Sequence, residues 1–199
     1  MSVLEVAAAL PGPEELLRRS QALAMCDAIM SPAWEDRYYS VDSRWSPDRG
    51  ERMASMRNGS GDEYSIVFSP AGVFIRGLDH EVPYSPGLFD EVPAVFARQV
   101  AEPAFGHGSN ICLWREAGDD GWHGRGADTA AWLFELLANG TPAAYQEFAE
   151  DYYEEDVDLE AVTEVFALRP LTDALVRRLN PDVSIAYLAD DITEIDYPR

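Results

Sequence analysis

The sequence predicts an α+β protein: an N-terminal helix, an antiparallel β-meander of about four to six strands, then a C-terminal helical half. Three observations predict it. Turn signals recur at short intervals between residues 34 and 81, separating short runs of β-branched and aromatic residues. Apolar residues recur at helical spacing before that stretch and again after residue 128. Strands and helices follow in blocks rather than alternating, which favours an antiparallel sheet over a parallel α/β fold. A chain of 199 residues, 47% hydrophobic, has material for one core. We therefore expect a single domain over 1–199, in which a helical part, 127–199, packs on a helix-plus-sheet part, 1–126.

Pro13 to Met30 is the first helix. Glu14 and Glu15 favour its dipole. Leu16, Leu23 and Ile29, flanked by Leu17, Ala24 and Met25, form its apolar stripe, and Pro32 ends it. Arg37 to Val41 reads as a strand, Ser46 to Gly50 as a turn, Arg52 to Arg57 as a short strand, and Asn58 to Asp62 as a second turn. Glu63 to Ser69 is a strand with Tyr64, Ile66 and Phe68 on one face. Pro70-Ala71-Gly72 turns the chain into the next strand, Val73 to Leu78. A proline-rich loop, Val82 to Pro93, leads to a short helix over Ala94 to Val100. Asn110 to Arg115 is a further strand, and Glu116 to Gly126 is a polar, glycine-rich loop.

The helical part begins where Asp128 or Thr129 caps a helix through Leu137, stopped by Asn139-Gly140. Thr141 caps the next helix, with Pro142 at its first position, to about Tyr153. Asp158 caps Leu159 to Leu168. Pro170 or Thr172 starts a helix through Leu179. Val183, Ile185 and Tyr187 alternate like a strand. Ile185, Leu188, Ile192 and Ile195 fit a helix face better, with Ser184 as cap.

Charge narrows the function. The chain has 36 acidic residues, 15 arginines and no lysine, for a net charge of −21. Such a surface repels phosphate backbones and anionic membranes, so neither nucleic acid nor a membrane is an expected partner. It attracts cations, above all a basic protein. The missing lysine fits a GC-rich genome, and it also excludes P-loop and Schiff-base chemistry. Residues 1–100 carry a net charge of −6 and residues 101–199 a net charge of −15, so the excess sits in the helical half. No signal peptide and no run of about 18 apolar residues is apparent, so a cytoplasmic protein is expected.

Two candidate sites emerge. The first is the segment Trp45 to Glu81, WSPDRGERMASMRNGSGDEYSIVFSPAGVFIRGLDHE. It gathers Arg57, Asp62, Glu63, Asp79, His80 and Glu81 at one end of the predicted hairpin. Such a cluster suits acid–base or ligand-binding work, with Trp45, Trp114 or Trp122 as a wall. Strand-end salt bridges, such as Arg57 with Asp62 or Glu63, give the same pattern without function. The second is the acidic run 147–164. In it Glu147, Glu150, Asp151 and Glu154 recur at helical spacing, Tyr152 interleaves, and Glu155 and Asp156 follow. It reads either as a solvated face or as a docking surface for a basic partner.

Nothing calls for a metal or cofactor. His80, His107 and His123 lack zinc-site spacing, and Asp151 to Asp158 lacks the glycine of a calcium loop. Cys26 and Cys112 are too few for a disulfide framework, sit beside no histidine, and are expected to be buried thiols. The stretch Tyr38 to Glu81 resembles an uncharacterised conserved bacterial protein family, which brings no assigned activity. In size and charge the chain is similar to bacterial toxin-immunity proteins, which implies masking of a basic partner. The expected function is a small acidic interaction protein. The alternative is a small-ligand binder or enzyme using the Arg, Asp, Glu and His cluster.

Overall fold

The computed structural model describes residues 1–105 and 108–199, so His107 lies outside the described residues. Six strands form one antiparallel sheet in sequence order: β1 (Tyr39–Ser46), β2 (Glu51–Arg57), β3 (Glu63–Ser69), β4 (Gly72–Leu78), β5 (Ile111–Glu116) and β6 (His123–Gly126). The meander is the one the turn signals predict. β1 starts two residues later than expected because Arg37 leaves the ladder. Its guanidinium donates to the carbonyls of Ser31 (2.9 Å) and Pro32 (3.0 Å) and pairs with Asp191 at 2.5 Å. β6 lies where a loop was expected. Its sequence, His-Gly-Arg-Gly, carries no strand signal, and only pairing with β5 holds it extended.

Among the described residues, eight α-helices accompany the sheet: α1 (Val3–Ala9), α2 (Pro13–Met30), α3 (Ala97–Val100), α4 (Glu135–Asn139), α5 (Pro142–Tyr153), α6 (Leu159–Phe166), α7 (Asp173–Leu179) and α8 (Ala189–Ile195). α1 was not anticipated, although Ser2 and Glu5 form a reciprocal capping box at its start. Asp128 caps no helix of its own. Its Oδ1 accepts from the Val3 amide at 2.9 Å, and residues 128–134 coil as a 3₁₀ helix before α4. The caps at Thr141, Asp158 and Thr172 form as expected. α6 stops at Phe166, short of Leu168, which takes a left-handed φ of 51°. Ser184 caps only a turn through Tyr187, and α8 begins five residues later.

The predicted stripe on α2 understates its burial. Residues 20–29 are buried on every side. One side faces the sheet at β1, and α6, α7 and α8 cover the other. A helix buried all round belongs at the centre of a layered core, and its polar groups there, Ser20, Gln21 and Asp27, are hydrogen-bonded. Alternate residues of the strands, among them Tyr39, Val41, Met56, Tyr64, Ile66, Ile75 and Leu113, face the same core as this helix. Gly77 lets residues 130–134 close onto the same face. A Cβ there would lie 2.9 Å from Ile111 and 3.1 Å from Leu133. On the opposite face the segment 82–105 covers β4 and β5, packing Leu88 and Phe96 on Phe74, Cys112 and Trp114. Both cysteines are free and buried, and burial pushes the Cys112 thiol up to about 12. No helix among the described residues is long and apolar enough to cross a membrane.

Candidate functional site

The hairpin register brings the sheet-end cluster together, because Glu63 pairs with Leu78 and the next residue on each strand is Asp62 or Asp79. Asp62, Asp79 and His80 each bring a polar side-chain atom within 4.8 Å of the others. Three of the six predicted residues, Arg57, Glu63 and Glu81, do not take part as expected. Arg57 turns away: its guanidinium lies 3.7 Å from the Trp34 ring centre and donates to the Trp34 carbonyl at 2.7 Å. Glu63 and Glu81 are exposed, and neither forms an ion pair among the described residues. His80 takes part through its backbone as much as its ring.

The two buried carboxylates are fully engaged. Asp62 Oδ1 accepts the His80 amide at 2.8 Å and faces His80 Nδ1 at 2.7 Å, while Oδ2 accepts the Asn58 amide group at 2.5 Å. Asp79 Oδ1 accepts the Glu81 amide at 3.0 Å, and Oδ2 accepts the Trp132 indole at 2.9 Å. Asn110, buried and unsuspected from sequence, pins the segment by donating to the carbonyls of Asp79 and Val82. Hydrogen bonds to His80 and Asn58 outweigh burial and hold Asp62 below the usual carboxylate range, while the Asp62 hydrogen bond raises His80. Gly61, at φ 110°, lies against the His80 side chain, where an added Cβ would come within 3.2 Å of His80 Cβ and 3.4 Å of the ring. These hydrogen bonds tie the turn at residues 58–62 to the segment 79–82, so the cluster acts as a lock on two loops.

Trp132 leads from this lock to a groove of about 510 Å³. Tyr38, Tyr39 and Met56 form its floor. Trp132, Glu135 and Asn139 form one wall, and Glu147, Phe148 and Asp151 the other. Glu135 follows Trp132 by three residues, and Asp151 follows Glu147 by four, so each wall presents one helical face. The groove holds three carboxylates and no arginine. None of the three forms an ion pair or side-chain hydrogen bond among the described residues, and all are exposed. Trp132 is 37% exposed, although its indole N–H is tied to Asp79. Burial first, then the Asp62 charge, raises Tyr38 to about 12.

The floor is tied to the core by Asp27. This fully buried carboxylate accepts the amides of Tyr38 (2.8 Å) and Tyr39 (2.7 Å) through Oδ2 and the Tyr145 hydroxyl (2.7 Å) through Oδ1. The Tyr153 hydroxyl, also near, helps to stabilise the charge without a direct hydrogen bond. Burial outweighs these donors and lifts Asp27 to about 6.

The acidic run divides when placed on this frame. Glu147 and Asp151 face the groove. Glu150 closes the end of α5 instead, with Oε1 accepting from Gln146 (3.1 Å) and from the Val157 amide (3.3 Å). Tyr152 packs on Phe148 and Tyr38 at ring separations of 5.5 and 5.1 Å. Glu154, Glu155 and Asp156 stand exposed beyond the helix end. Asp158, Glu160 and Glu164 converge on Arg178. Two of the three expected tryptophan walls lie elsewhere. Trp114 stacks on His123 and Trp122 donates to the Pro11 carbonyl at 2.8 Å. Trp45 lines a separate cavity of about 340 Å³ on the outer sheet face, together with Arg57 and Glu63. Trp132 is hidden in the sequence because it sits in an apolar run, Ala130 to Phe134, that reads as core. No family model, curated protein or solved structure matches the chain.

Proposed function

We propose that this protein is an acidic interaction module that binds a basic protein partner. The groove between α4 and α5 carries the reading: three carboxylates without internal partners stand over an aromatic floor. Carboxylates already held by arginine gain little from a partner, whereas free ones steer a cationic surface and then pair with it. Exposed Glu154, Glu155 and Asp156 extend the same field beyond α5. In size and charge this is the arrangement of an immunity-like protein that masks a basic enzyme. The alternative, a small-ligand site at the sheet-end cluster, has less support, because each oxygen of its two buried carboxylates, Asp62 and Asp79, already accepts a hydrogen bond and Trp34 draws Arg57 away.

Isolation of the intact protein from its native cells at low salt tests the reading. The expected result is a stoichiometric partner of high isoelectric point that dissociates at high salt. The same partner should be lost from a variant carrying Glu147→Gln, Asp151→Asn, Glu154→Gln, Glu155→Gln and Asp156→Asn. Recovery of the protein alone at low salt, or retention of the partner by the neutralised variant, overturns it.

A further inference from the structure

We infer that the groove seats the guanidinium of an arginine side chain from the partner, with Trp132 as its stacking platform. This rests on the basic-partner reading and adds the chemistry that recognises it. Charge complementarity supplies the sign: Glu135, Glu147 and Asp151 line the groove and no cation does. The aromatic groups supply the shape. A cation over an indole face is attracted by the ring quadrupole, and tryptophan is the strongest such platform. Trp132 is pre-set for this role. Its indole N–H is held by buried Asp79 at 2.9 Å, which fixes the ring while more than a third of the residue stays open to solvent. Asp79 is itself pinned through Asn110, so the sheet-end lock becomes a positioning device for the groove wall.

Guanidinium fits better than ammonium on two counts. It is flat and weakly hydrated, so it can lie against a ring without losing a tightly held water shell. It also carries five donors in one plane, enough to reach carboxylates on both walls at once. Glu135 stands on one wall, and Glu147 and Asp151 on the other. A lysine ammonium, a compact point charge, would satisfy one wall at a time.

The test uses the full chain and three capped heptapeptides that differ only in carrying two arginines, two lysines or two citrullines. Titrations run at about 0.15 M ionic strength, where the screening length falls to about 8 Å and diffuse attraction weakens. The readouts are the dissociation constant and the Trp132 indole N–H resonance, assigned with Trp132→Phe. The arginine peptide should bind most tightly and shift that resonance. The lysine peptide should bind more weakly, and the neutral citrulline peptide should not shift it. Trp132→Ala should weaken the arginine peptide about tenfold, in keeping with a partly desolvated cation–π contact. The pair Glu147→Gln and Asp151→Asn should weaken it by at least as much.

The triple change Glu154→Gln, Glu155→Gln and Asp156→Asn removes more charge but lies outside the groove, so it should cost less than about threefold. An equal loss from the triple and the groove pair would show diffuse attraction and overturn the groove assignment. Equal binding of lysine and arginine peptides would overturn the guanidinium assignment. An unmoved Trp132 resonance, or no binding of any peptide, would also overturn it. Recovery of a basic partner from native cells would still stand in each case, so the two readings fail separately.

Discussion

Two groups of carboxylates lie on either side of Trp132, and they have opposite fates. At the sheet end, Asp62 and Asp79 are buried and every carboxylate oxygen accepts a hydrogen bond. In the groove, Glu135, Glu147 and Asp151 are exposed and take no internal partner among the described residues. The residue types are the same. What differs is the neighbouring backbone. Asp62 and Asp79 sit where two strands end and loops offer unpaired N–H groups. The groove carboxylates project from helix faces whose backbone donors are already used within the helix. Local acid density is similar in the two groups, and hydrogen bonding within the fold is what separates them.

The largest test of this contrast is at Asp27, the most enclosed carboxylate of the scaffold. Its pKa in the folded protein, about 6, lies above the unfolded value of about 3.9. Between these values the folded state holds the proton more tightly than the unfolded chain. Its contribution to stability therefore falls as pH rises from about 4 to about 6, by about 3 kcal/mol. Asp27→Asn keeps the acceptor for Tyr38 and Tyr39 and removes the titration. Denaturant unfolding at several pH values should show that the variant lacks this fall and gains on the parent as pH rises. Parallel curves would refute the assignment.

A smaller effect is expected at the sheet end. Asp62→Ala strands the His80 amide and opens the Asn58 loop, which should cost about 2–3 kcal/mol in denaturant unfolding. His80 should then titrate closer to its ordinary range by NMR, because the hydrogen bond that raises it is gone. A near-neutral Asp62→Ala would mean that the lock is not structural. The smallest effect is expected in the groove. Glu147→Gln and Asp151→Asn should each change folding stability by no more than about 0.5 kcal/mol, because neither side chain has a partner to lose. A loss comparable to that at Asp62 would erase the distinction between the two groups.

Much of this contrast escaped the sequence for one reason. Local patterns report which residues are near in the chain, and hydrogen-bond saturation depends on residues far along it. The strand Glu63–Ser69 and its partner were legible because alternation and a Pro-Ala-Gly turn are local. The same holds for the caps at Thr141, Asp158 and Thr172. Asp128 shows where such reading stops: a good capping residue in a good position serves a helix 125 residues away. Arg57 teaches the same lesson, since strand pairing places it across from Glu63 while Trp34, 23 residues earlier, draws it off. The capping box at Ser2 and Glu5 is a local signal of the same kind, a serine followed three residues later by a glutamate.

The sequence by itself determined the fold class, the central hairpin of Glu63–Ser69 with its partner strand, and the uneven charge. These follow from alternation, turn chemistry and composition, each of which acts along the chain. Only the tertiary structure decided that α2 would be buried all round, that Asp27 would bind the groove floor to the core, and that Trp132 would stand open with one edge held. Each of these outcomes depends on which distant backbone group or ring comes within hydrogen-bond or packing distance, and that is set when the layers close.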